Sequence, residues 1–180
     1  MNSNSRYGDI LSAASNVVRT LGAEKLTLDA VAKEAGVSKG GLLHHFPNKQ
    51  ALIHAMAKES SRQFVADLNA KVENSPSDGG RWTRAYLEAT CEDAANEHSK
   101  ELSTALIASL YSNPDILAKL RTSYSGWQKN IENDGIDPVA ATIVRLAVDG
   151  LWLAEIFGLG NLEPELRNQV IDALKKMTET

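Results

Sequence analysis

Residues 27–52 read TLDAVAKEAGVSKGGLLHHFPNKQAL, and this stretch decides the fold. Thr27 is an N-cap candidate ahead of Leu28, Val31, Ala32 and Ala35, which recur at helical spacing. Asp29 puts negative charge in the first turn, where the helix dipole favours it. Gly36 stops that helix, Val37 is a single apolar residue in a tight corner, and Ser38 is the next N-cap candidate. Leu42 and Phe46, at i and i+4, give the following helix one buried stripe of about two turns before Pro47 ends it. Two capped helices about a glycine turn, with Ala32 four residues before Gly36 to permit close approach, make a helix-turn-helix.

The second helix of such a pair enters a DNA groove ~12 Å wide, so its outward face needs polar, small or flat groups and its anchors point inward. Ser38, Lys39, Gly40, Gly41 and His44 lie outward here. Two glycines within a helix cost about 1 kcal/mol each relative to alanine. Taken alone they also suit a sharp turn; within this motif, unhindered backbone approach to base edges accounts for them. His45 suits a half-buried place under the helix better than a metal site, because His44 and His45 are adjacent and cannot face one ion.

The stretch from Thr27 to Leu52 resembles the DNA-binding segment of the tetracycline-repressor (TetR) family, joining the helix-turn-helix to a fourth-helix opening Phe46-Pro47-Asn48-Lys49-Gln50-Ala51-Leu52. By motif the likeness covers roughly residues 6–54; the remainder is similar in length and helical content only. Few Gly and Pro and plentiful Ala, Leu, Glu and Lys make an all-α chain the expectation, its segments read as about nine helices, and the resemblance implies a subunit of two helical domains. Residues 1–50 would form a three-helix DNA-binding domain and residues 51–180 a helical bundle for effector binding and dimerisation. It implies a ligand-responsive regulator, a repressor that binds a palindromic DNA operator as a homodimer and is released by a small molecule. Carried over position by position, Thr27 holds a phosphate, Ser38, Lys39 and Gly40 approach backbone and bases, His44 reaches backbone or a base edge, and Lys49 pairs with a phosphate. Leu43 and Gly41 depart from the family pattern, which often has Tyr and a small side chain such as Thr there. The tyrosine's phosphate contact is therefore lost, leaving Leu43 to pack or to touch a thymine methyl.

Working outward, Ile10, Leu11, Ala14, Val17, Val18 and Leu21 make an amphipathic first helix closed by Gly22. Leu52, Ile53, Met56, Phe64, Val65, Leu68 and Val72 extend the fourth helix to a loop at 73–80. Further helices are expected at about 81–97, 102–111, 114–132, 138–157 and 164–178, three of them opening on Pro in the first turn.

A net charge of -4 argues against a partner as acidic as DNA, until it is divided. Residues 1–54 hold six Lys/Arg against four Asp/Glu, or +2, and the rest carries -6. The acidity belongs to the C-terminal two-thirds. The single cysteine, Cys91, excludes an internal disulfide and fits a reducing compartment, so a cytoplasmic address is expected. Met1–Tyr7 is polar without a signal-like apolar core, and the most apolar stretch, 139–162, carries Arg145, Asp149 and Glu155, so nothing is expected to span a membrane.

Trp82, Tyr86, Cys91, Leu106, Tyr111, Trp127 and Trp152 are candidates to line an effector pocket, and the same residues equally suit a plain core. Val139, Ile143, Leu146, Gly150, Ala154 and Phe157, with Val170 and Leu174 on the last helix, are candidates for a dimer face, the alternative being that they fill the subunit's own core. Among other classes, an enzyme is disfavoured: there is no phosphate loop, nucleophile elbow or metal-spaced cluster, and no cofactor is implied. A helical protein-interaction module is the remaining alternative.

Overall fold

A computed structural model of the chain describes residues 3–75, 79–95 and 114–179, together with Ser103 and Ile107. Among the described residues it is all-helical: α1 (Ser3–Leu21), a 3-10 turn (Ala23–Lys25), α2 (Leu28–Glu34), α3 (Lys39–His45), α4 (Lys49–Asn74), α5 (Arg81–Ala95), α6 (Pro114–Glu132), α7 (Pro138–Phe157) and α8 (Pro164–Lys176). The helix expected at 102–111 lies outside the described residues apart from Ser103 and Ile107.

The chain divides into two compact units, residues 1–62 with 96–116, and residues 63–95 with 117–180. In the first, Ile10, Val17 and Val18 of α1 close over Val31 of α2, Leu42 of α3, Phe46 and Leu52. The second core joins Leu68 of α4, Tyr86 and Leu87 of α5, Ile131 of α6, Val144 and Val148 of α7, and Leu174 of α8. Helix α7 packs along α5. Asp137 caps α7 by accepting from the Ala140 amide at 3.0 Å, with Pro138 in the first turn where a missing N–H is harmless.

The start of α5 is fixed from a distance in sequence. Asp134, buried after α6, accepts from the Trp82 amide at 2.8 Å, the Thr83 amide at 2.7 Å and the Thr83 hydroxyl at 2.8 Å. One carboxylate thus satisfies two of the amides a helix start leaves unbonded, where water cannot reach them easily. Asp134→Ala is expected to destabilise the chain by about 2–3 kcal/mol, the loss of a cap plus stranded buried donors. Urea unfolding followed by circular dichroism checks this, and a change near zero would mean the amides find other partners.

Candidate nucleic-acid interface

Helices α2 and α3 have seven residues each, and both are held by their ends. The Thr27 hydroxyl accepts from the Ala30 amide at 3.1 Å, and the Ser38 hydroxyl from the Gly41 amide at 3.1 Å. Between them Gly36 takes φ +64°, with its own amide on the Lys33 carbonyl at 3.3 Å and the Val37 amide on the Ala32 carbonyl at 3.0 Å. This paired closure is the Schellman stop, which needs a left-handed residue where glycine is unstrained. Asn48 caps α4 by accepting from the Ala51 amide at 2.8 Å.

With Leu42 and Phe46 sunk in the core and His45 half-buried, the other residues of α3 face outward. Thr27, Ser38, Lys39, Gly40, Gly41, Leu43, His44 and Lys49 are all exposed and all lie in the first unit. Gly40 and Gly41 sit inside α3 without positive φ, so neither serves as a turn residue. A side chain at 41 would press on the Ser38 hydroxyl at 3.3 Å, whereas one at 40 would meet nothing within 4 Å. Lys39 reaches back to Asp29, Nζ to Oδ1 at 2.9 Å, an exposed pair between α3 and the first turn of α2. His45 is half-buried, its ring 5.5 Å from that of His44. Among the described residues no group of three or more His, Cys, Asp or Glu is placed to hold a metal ion.

In the second unit Tyr86 belongs to the core, and Trp82, Cys91 and Trp127 pack against it. Tyr86 and Trp127 lie with ring centres 5.8 Å apart, joined by Phe64 at 6.2 Å from Tyr86 and Tyr124 at 5.1 Å from Trp127. Trp82 is half-buried at the α5 start, Trp152 is half-buried on α7, and Cys91 is a free, half-buried thiol that burial pushes up from its ordinary pKa. Leu106 and Tyr111 lie outside the described residues. At the edge of the rings stands Asp149, which accepts from the Tyr86 hydroxyl at 2.6 Å and the Tyr124 hydroxyl at 3.4 Å, and from Arg145 at 2.8 Å. Burial raises the Asp149 carboxyl above its usual range, outweighing the opposing pull of Tyr86 and Arg145. The same burial, with the neighbouring Asp149 charge, pushes both tyrosine hydroxyls upward.

On α7 a third feature appears. Val139, Ile143, Leu146 and Phe157 are 64, 47, 55 and 43% exposed, with Leu153 at 42% on the same stripe. Gly150 is exposed on that stripe with open space where its side chain would be, and Ala154 is half-buried. Val170 packs against the subunit's own core and Leu174 lies within it, so these two do not share the exposed stripe.

A family model described as "Tetracyclin repressor-like, C-terminal domain" matches residues 80–179, and one described as "Bacterial regulatory proteins, tetR family" matches residues 10–56. The chain belongs to the tetracycline-repressor family. Its similar relatives include the HTH-type transcriptional regulator LmrA of Bacillus subtilis, 26% identical over 160 residues that cover 80% of this chain and 85% of that one. The HTH-type transcriptional regulator BetI of Vibrio vulnificus is 24% identical, covering 89% and 83% of the two chains. A transcriptional regulator from Rhodococcus sp. Rha1 shares the fold with a TM-score of 0.76 at 22% identity, over 98% of this chain and 96% of that one. Like other TetR-family proteins, the chain is a DNA-binding transcriptional regulator rather than an enzyme. Among the described residues no helix is long and apolar enough to cross a membrane.

Sequence alone does not pair Lys39 with Asp29, nor does it place Phe64, Arg145 and Asp149 around the rings. Arg145 and Asp149 carried a legible signal, an i,i+4 ion pair in a mostly apolar helix. The raised Asp149 pKa gives this TetR-family protein a specific pH response. The folded state holds that proton more tightly than the unfolded chain does, so the contribution is present below the ordinary carboxylate range near 4 and is lost as pH rises through the raised value. Urea unfolding from pH 4 upward is expected to show the parent losing stability relative to Asp149→Asn. Parallel pH profiles would exclude this role.

Proposed function

We propose that the chain is a ligand-responsive repressor that binds a palindromic operator as a homodimer, residues 1–50 meeting DNA and residues 51–180 binding effector and dimerising. The observation that carries this is the outward face of α3: a helix anchored inward by Leu42 and Phe46 exposes Lys39, Gly40, Leu43 and His44. Ser38, Lys39 and Gly40 approach backbone and bases. Leu43, 37% exposed, offers its apolar tip to a thymine methyl. Gly41 leaves room near the Ser38 hydroxyl, His44 reaches backbone or a base edge, and Thr27 and Lys49 hold phosphates at the starts of α2 and α4. Lys39 gives up little in exchanging Asp29 for a phosphate, because an exposed ion pair is worth only about 0–1 kcal/mol.

The α7 stripe supports the dimer. Val139, Ile143, Leu146, Gly150, Leu153 and Phe157 are spaced alternately by four and three, the pattern of helices that pack side by side. The aromatic cluster about Tyr86 and Trp127 supports an effector site for a neutral or cationic compound, in keeping with the acidic C-terminal two-thirds. EbrR, a structural neighbour described as a multidrug binding protein, has been crystallised with malachite green; it has a TM-score of 0.63 at 19% identity, covering 97% of this chain and 99% of that one. Action on DNA from a reducing cytoplasm fits the lone free cysteine.

Fluorescence anisotropy with the DNA upstream of the chain's own reading frame is expected to show binding that weakens with salt. Lys49→Ala should lower affinity for all sequences and flatten the salt slope by about 0.9 for each lost phosphate contact. Identical slopes for variant and parent would remove Lys49 from the phosphate contacts. Light scattering at micromolar concentration should give twice the 19.5 kDa chain mass. Leu146→Asp should shift that mass toward the monomer by placing a charge in the apolar stripe; a monomeric parent would refute the dimer.

A further inference from the structure

The start of α1 lies before the segment matched by the N-terminal family model, which begins at residue 10. It is nevertheless fixed against the recognition helix. The Tyr7 ring sits 5.0 Å from that of Phe46, which closes α3, and 6.5 Å edge-on from His45. One turn further on, Ile10 is 1% exposed in the core. Arg6, between the helix start and this aromatic dock, is exposed and lines a cleft of about 330 Å³ with Ser38, Gly41, His44 and His45.

The chemistry of that cleft favours an anion. Among the described residues one guanidinium, a hydroxyl and two imidazoles border it, and no carboxylate does. Lys39, by contrast, is paired with Asp29, and Arg19 donates to Asn16. Arg6 has no hydrogen-bond or ion-pair partner among the described residues. A guanidinium offers five donors in a fork that matches phosphate oxygens and keeps its charge at any working pH. Its place beside the outward end of α3 sets it where the backbone flanking a bound groove must pass.

We infer that Arg6 is a further ligand of DNA phosphate, held beside the recognition helix by the docking of Tyr7 on Phe46. This rests on α3 being the element that meets DNA. Salt titrations by fluorescence anisotropy test it on two 30-base-pair duplexes, one selected by the parent protein from a randomised pool and one shuffled. For Arg6→Ala the slope of log K against log salt should become shallower by about 0.9 for each Arg6 that meets DNA. Affinity at 0.1 M salt should fall roughly eightfold for each on both duplexes. Arg6→Lys should keep the slope. Tyr7→Ala, with retained helix content by circular dichroism, should reproduce the shallower slope. An unchanged slope in Arg6→Ala overturns the assignment, as does a loss confined to the selected duplex, which would mark Arg6 as a reader of bases. A full slope in folded Tyr7→Ala overturns the role of the aromatic dock. A parent that binds neither duplex overturns the DNA assignment itself, whereas a salt-sensitive parent matched by Arg6→Ala overturns only the role of Arg6.

Discussion

Two helices of seven residues cannot stand alone in water, since isolated helices shorter than roughly 12–15 residues are marginal even in favourable sequences. The exposed face of the helix-turn-helix depends on overcoming that limit. Burial of Val31, Leu42 and Phe46 against α1 supplies the hydrophobic term, and the Thr27 and Ser38 caps satisfy amides that the short helices leave open. The Schellman closure at Gly36 then sets how α2 turns into α3. The outward residues of α3 are therefore positioned by forces acting on the opposite face.

The second unit solves a different problem. A half-buried carboxylate stands at the edge of its core, and Asp149 is tolerated there because hydroxyls from α5 and α6 and a guanidinium one turn earlier on α7 all donate to it. Such a cluster makes the relative placement of three helices depend on directional bonds as well as on apolar fit. A partly buried charge that loses a partner is costly, which resists small rearrangements and makes larger ones discrete. One helix, α4, supplies Leu52 to the first core and Leu68 to the second, so its ends answer to different packing demands.

The helices and their caps were legible in the sequence because their causes are local. Thr27, Gly36, Ser38, Asn48 and Pro138 each act within a few residues, and period-3.6 apolar spacing marks the face each helix buries. The outward face of α3 was legible for the same reason: once Leu42 and Phe46 point inward, helical geometry places the remainder. What escaped was nonlocal. The bonds from Trp82 and Thr83 to Asp134 span about fifty residues, and those from Tyr86 to Asp149 span 63. The last helix shows the limit of pattern alone. Val170 and Leu174 have the spacing of an interface face, yet they pack into their own core while Leu166 stays exposed. An apolar stripe says that something covers it and leaves open which surface does so.

The empty space over Gly40 separates two things that are usually entangled. At Gly36 the left-handed backbone forbids most side chains, and at Gly41 the capping hydroxyl stands in the way. At position 40 nothing in the chain opposes a side chain, and a residue with ordinary helix preference would relieve the roughly 1 kcal/mol that glycine costs there. Folding thus places no steric constraint on that site, which lies on the exposed face of α3. The character of that exposed face can therefore drift through substitutions at position 40 without taxing stability, an adjustable letter in an otherwise fixed scaffold.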